Sequence, residues 1–141
     1  MQITLAVLSA LAATAFAGTA NVVNRCNQPA YLTITRSDQT TQTYTLAAGQ
    51  GQYHEVIKGQ GNSYGVTLDP NYYSPNTPKL IWGVSDVPPT LYYSVNTVDG
   101  NPFANLGFSL VTSDSTCSGV NSPDARTRTC GDGAQLTLNL C

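Results

Sequence analysis

Hydrolysis of a sugar bond needs two carboxyl groups held about 5 to 10 Å apart across the scissile oxygen. This chain supplies one glutamate, Glu55, and seven aspartates. The aspartates stand mostly in turn-forming company, although a fold could still bring two together, Asp86 and Asp99 for example. His54 is the only histidine, so any Ser–His–Asp relay would have to pass through it. Its neighbour Glu55 points to the opposite face of a strand, and no G-x-S-x-G elbow is present. No catalytic residue is therefore expected.

Tyrosine is the more informative type. There are eight, including the doublets Tyr72-Tyr73 and Tyr92-Tyr93. In a strand, one ring of Tyr92-Tyr93 enters the core while the other, read as Tyr92, faces outward. Tyr72 and Tyr73 lie in a proline-rich loop, where flat amphipathic rings can stack on a sugar or anchor an interface. The same two rings would equally serve to cover a sheet edge. Trp82, flanked by alternating apolar residues, reads as core.

Four cysteines, Cys26, Cys117, Cys130 and Cys141, complete the reactive inventory. An even count beside a secretory leader reads as two disulfides, and spacing alone leaves three connectivities open. With no C-x-x-C and a single histidine, neither a metal site nor a cofactor is expected. A cysteine as the last residue implies that the end of the chain is tied down.

The leader is residues 1–17. An uncharged apolar run, too short for a span of about 20 residues, ends in Ala15-Phe16-Ala17, a small-x-small cleavage pattern. A second cut site follows after residue 20. Residues 18–141 then form one domain, long enough to bury a core, secreted to the extracellular space or the cell wall. Formal net charge is −2 and charged residues are 10% of the chain. No basic run could supply clustered phosphate contacts, so nucleic acid is not an expected partner. No further apolar span suggests a membrane. No Asn-x-Ser/Thr acceptor for N-linked sugar occurs.

The elements that must position these residues read as strands: 21–26, 30–36, 41–47, 52–58, 63–69, 80–86, 90–97, 105–112 and 134–140. In Tyr31-Leu32-Thr33-Ile34-Thr35 the apolar pair shares one face, and in Leu136-Thr137-Leu138-Asn139-Leu140 the three leucines do. Gly49-Gln50-Gly51, Gly59-Gln60-Gly61-Asn62 and Asp99-Gly100-Asn101-Pro102 are turn chemistry. Residues 70–78 and 113–133 read as long loops. Period-two patterning between regular turns predicts an all-β chain, an antiparallel β-sandwich.

Asn21-Val22-Val23-Asn24-Arg25-Cys26 before Tyr31-Leu32 resembles the opening strands of thaumatin-like proteins. Leu46-Ala47-Ala48-Gly49-Gln50 is similar to that family's next turn, and Tyr93-Ser94-Val95-Asn96-Thr97-Val98-Asp99-Gly100-Asn101-Pro102 resembles its Y-D-x-S-x-V-D-G-x-N segment. The spacing of Cys130 and Cys141 also fits. Without a disulfide-rich insertion between Cys117 and Cys130, the chain resembles the short fungal branch, the antigenic thaumatin-like or Blastomyces yeast-phase-specific proteins. The resemblance implies the pairs Cys26–Cys141 and Cys117–Cys130.

It also implies a groove of one arginine and four acids, associated with β-glucan. Residue by residue, that groove is mostly missing. Val66 stands where the arginine is expected, Leu80-Ile81-Trp82-Gly83 has no acid, and Ser94 replaces an aspartate. Asp99 alone remains, and it also begins an Asp-Gly turn. The expectation is a secreted, monomeric, non-enzymatic protein of the fungal surface or of host contact: antigen, adhesin or effector. Its partner would be a cell-wall polysaccharide or a host surface protein. The alternatives are a β-glucan- or chitin-binding module using Tyr72, Tyr73 and Tyr92 beside Asp99, and a weak endo-β-glucanase.

Overall fold

The computed structural model describes residues 17–141. The leader expected at 1–17 therefore lies outside the described residues, Ala17 excepted. Ten strands follow: β1 (Thr19–Asn24), β2 (Ala30–Thr35), β3 (Thr41–Leu46), β4 (Gln52–Val56), β5 (Asn62–Thr67), β6 (Lys79–Val87), β7 (Thr90–Val98), β8 (Phe108–Thr112), β9 (Arg128–Gly131) and β10 (Gln135–Leu140). They form a four-stranded sheet, β4-β1-β10-β8, and a six-stranded sheet, β3-β2-β5-β6-β7-β9. Two such faces packed on one core are a β-sandwich.

Alternation built the layers as the sequence predicts. Leu136, Leu138 and Leu140 of β10 are fully buried, as are Leu32 and Ile34 of β2. Trp82 and Tyr64 meet between the sheets with ring centroids 4.9 Å apart. Each such side chain contributes about 1.5–3 kcal/mol on leaving water.

Some features differ from the sequence reading. The sandwich is antiparallel except at one place, where β1 and β10 run parallel, Asn24 opposite Leu140. These strands come from the two ends of the domain, so no hairpin constrains their direction. The segment expected as a loop over 113–133 also contains β9, which pairs with β7 from Thr90–Gly131 to Tyr93–Arg128. Arg-Thr-Cys-Gly is short and carries no apolar alternation, so neighbouring β7, and not its own pattern, makes it a strand. The strand expected over 105–112 starts later, at Phe108.

Both disulfides form as the resemblance implied. Cys26–Cys141 closes a separation of 115 residues and Cys117–Cys130 one of 13. Cys26 lies just past β1 and Cys141 just past β10, so the parallel register itself brings them to a Cα distance of 5.1 Å. Asn24, two residues before Cys26, explains the preceding motif. The two protons of its fully buried amide are shared among Gln28 O at 2.9 Å, Leu46 O at 3.1 Å and Ala47 O at 3.2 Å, and its oxygen accepts from Cys26 N–H at 3.0 Å. One side chain thus satisfies backbone from the β1–β2 connection and from the end of β3.

Candidate functional site

Asp99 does not stand alone in a groove. It has φ 59° and precedes Gly100 at φ 107°, the left-handed pair that the Asp-Gly turn requires. Its Oδ2 accepts from Lys79 Nζ at 3.0 Å. The same ammonium donates to Ser74 O at 3.0 Å and Thr77 O at 2.8 Å. Lys79 is buried, so its charge must be matched where it sits. The trio clamps the proline-rich loop at 70–78 onto the β6–β7 hairpin, and Asp99 is the clamp's counter-charge.

The two tyrosines of that loop have different fates. Tyr72 folds down on the outer face of the six-stranded sheet and lies on Gly65 of β5. A Cβ at Gly65 would fall 2.4 Å from the Tyr72 hydroxyl, which is why glycine is needed there. Burial, with a smaller part from Tyr73, pushes the Tyr72 phenol above its ordinary range. The ring also lies 5.7 Å from Lys79 Nζ. Tyr73 meets Tyr72 edge-on at 5.1 Å between centroids and is 75% exposed. Tyr92 projects from the outer face of β7 and is 40% exposed, while Tyr93 is buried.

The acids that might have made a hydrolytic pair are kept apart. Asp86 pairs in register with Leu91 at one end of the β6–β7 hairpin, and Asp99 lies past the other end, beyond Lys79–Val98. At about 3.3 Å per residue the hairpin separates them by about 25 Å. Asp86 is buried at its own end, where burial and then Asp132 push its carboxyl up. Val66, the position expected to hold the groove arginine, faces the core and is fully buried. Ser94 lies half-buried on the outer face.

Glu55 is the acid that sequence reasoning underrated. Its carboxylate accepts from both guanidinium nitrogens of Arg36, NH1 to Oε1 at 2.7 Å and NH2 to Oε2 at 2.5 Å. Tyr53 donates at 2.8 Å and Tyr64 donates to the other oxygen. Arg36 also reaches Asn62 Oδ1 at 2.8 Å. Burial alone would raise the Glu55 carboxyl, but Arg36, Tyr64 and Tyr53 together outweigh it and hold it below its ordinary value. Burial, with the carboxylate beside them, raises both phenols. A carboxylate with this many fixed partners has no lone pair free for a substrate. The only clue in sequence was the alternation Tyr53-x-Glu55-x-Ile57, which points Glu55 inward. His54 points outward to Asn21 Oδ1.

A shallow trough of about 390 Å³ opens on the same outer face as Tyr92, over Ser63, Gly83 and Ser94. Among the described residues, no three His, Cys, Asp or Glu side chains gather as a metal ion would require.

Two packed sheets, a staple between the first and last strands and a loop clamped over the larger sheet define a thaumatin-like sandwich. Solved structures share it. The protein elicitor MoHrip2 from Magnaporthe oryzae superposes with a TM-score of 0.71 at 25% identity, over 89% of this chain and 99% of that one. The thaumatin-like xylanase inhibitor TLXI has a TM-score of 0.59 over 86% of this chain and 98% of its own; at 13% identity it shares the fold alone. The Blastomyces yeast-phase-specific protein family matches residues 7–141, and the chain belongs to it. It is also 30% identical to an antigenic thaumatin-like protein of Arthroderma benhamiae, over 99% of this chain and 80% of that relative.

Proposed function

We propose that this is a secreted, non-enzymatic protein that acts by being recognised at the fungal surface or by a host. The observation that carries this reading is the Lys79–Asp99 clamp. The last acid of the family groove serves to hold a loop, and Glu55 is consumed by Arg36, Tyr53 and Tyr64. The similarity to an elicitor and to an antigenic protein supports the same direction, and two disulfides suit an oxidising, extracellular setting. Purified protein applied to leaf tissue is expected to provoke a defence response that Asp99→Asn leaves intact, and to release no reducing sugar from laminarin. Sugar release that disappears in Asp99→Asn would replace this reading with the weak endo-β-glucanase.

A second reading is a module that binds cell-wall polysaccharide without cutting it. The exposed rings of Tyr73 and Tyr92 favour it, since exposed aromatic faces are suited to stacking on sugars.

A further inference from the structure

Among the described residues, Asp86 is the buried carboxyl that lacks a partner. Only 8% of the residue is exposed, and its Oδ1 is buried with no hydrogen bond. The ion pairs of the described residues are Arg36–Glu55, Lys79–Asp99 and Arg128–Asp124, and none includes it. Its charged neighbour is a second acid, Asp132, which adds to the effect of burial in pushing the carboxyl up. A buried carboxylate is costly unless a positive group meets it. Lys58 does not serve, because it is exposed and lines a trough with Arg36 and Asp38.

The start of the domain lies at this same end of the sandwich. Gly18 O accepts from Ile57 N–H at 2.8 Å, and Gly59 O accepts from Asp86 N–H at 2.9 Å. The backbones of Gly18 and Asp86 are thus tied to one short segment, 57–59, whose length is at most about 7 Å. Gly18 also packs beneath the turn that carries Asp132: a Cβ on it would fall 2.9 Å from Asp132 O and 3.0 Å from Ala134 O. In extended backbone a residue's N–H and C=O point to one side, so the Gly18 nitrogen faces the 57–59 segment. Among the described residues that nitrogen has no hydrogen-bond acceptor.

The leader expected at residues 1–17 would be cut immediately before Gly18. The structure favours that cut over one after Ala20. Strand β1 begins at Thr19, and Ala20 is buried between Glu55 of β4 and Leu136 of β10. A chain starting at Asn21 would lose the hydrogen bonds from Ile57 N–H to Gly18 O and from Thr19 N–H to Ala134 O. Cleavage before Gly18 replaces an amide with an α-amine, which is charged at neutral pH and below.

From these observations we propose that removal of the leader after Ala17 turns the Gly18 nitrogen into the counter-charge of Asp86, with Asp132 beside it. Processing then completes an ion pair that the longer chain cannot form, and the mature protein is the more stable of the two. The proposal rests on the secreted reading and adds to it a structural use for the new terminus.

Secretion of the full chain from a yeast host, followed by intact-mass measurement, gives the terminus, which is expected at Gly18. A start at Asn21 overturns the proposal; a chain that keeps its leader overturns the secreted reading with it. Two mature forms are then compared by melting, one beginning at Gly18 and one extended by a short uncharged tag ending in Ala17. Ala17 is exposed, so the extension has room. The Gly18 form is expected to melt higher by about 5 °C or more. Asp86→Asn should erase most of that gap, since both changes break the same pair. If Asp86→Asn does not fold, Asp132→Asn takes its place and should narrow the gap. Equal melting of the two forms, or a gap untouched by the substitution, overturns the ion pair and leaves secretion standing.

Discussion

Glu55 of β4 and Arg36, just past β2, form a forked ion pair that ties the four-stranded sheet to the six-stranded one, with both contacts at 2.7 Å or less. The carboxyl is held below its ordinary value, near 4.3 in an unfolded chain. Its contribution is therefore fully present above that pH and is lost as pH falls through the folded value. Glu55→Gln is expected to cost about 3 kcal/mol at neutral pH, because it leaves Arg36 unpaired in a mostly buried site. Melting curves of both proteins from pH 7 down to about pH 2 should converge on the acid side. A gap that stays constant would deny the ion pair its role. Tyr53 and Tyr64 work in the opposite sense: their raised phenols favour the fold up to about pH 10, and that contribution disappears as they ionise.

The two disulfides are expected to differ in effect. Loop-closure entropy assigns about 4 to 5 kcal/mol to Cys26–Cys141 and about 3 kcal/mol to Cys117–Cys130. Cys141→Ser paired with Cys26→Ser should lower the melting temperature by roughly 10 to 20 °C, and the Cys117/Cys130 double serine by less. Calorimetry under oxidising conditions checks the order. A reversed order would place the stability of the domain in the β9 segment instead.

Gly65 and Tyr72 should behave as one unit. Gly65→Ala forces the ring off the sheet and is expected to cost about 1 to 3 kcal/mol. Tyr72→Ala alone loses the ring's cover over Gly65. Combined with Tyr72→Ala, the alanine at Gly65 should add almost nothing, giving a coupling energy of about 1 kcal/mol or more in a double-mutant cycle by urea denaturation. Simple additivity would mean that the loop does not rest where the structure has it.

How much of this was readable in the chain depends on distance along it. Strands such as β2 and β10 announce themselves within six residues, because each carries its own alternation. The disulfide partners were legible only through resemblance to a family, since spacing alone left three pairings open. β9 escaped notice because its four residues take their conformation from β7. Glu55 and Arg36 come from different sheets, and their meeting depends on how the layers stack, which no local pattern encodes. The Gly83 trough escaped for the same reason. Ser63, Gly83 and Ser94 become neighbours only once two hairpin registers are fixed. Of the tyrosines singled out by type, Tyr73 and Tyr92 remain exposed, whereas Tyr72 turns inward to cover the sheet.

The parallel pairing of β1 with β10 also sets an order of events. β1 lies between β4 and β10, so the first strand made can find one neighbour early and must wait for the other until the last strand exists. Until then its free edge is an open ladder of backbone donors and acceptors, the kind of surface that recruits other chains. Contacts this distant in sequence are slow to form. The interval between the two strands is thus the period in which the nascent protein is most exposed to aggregation, and bringing β10 into place seats Leu136, Leu138 and Leu140 and ends it.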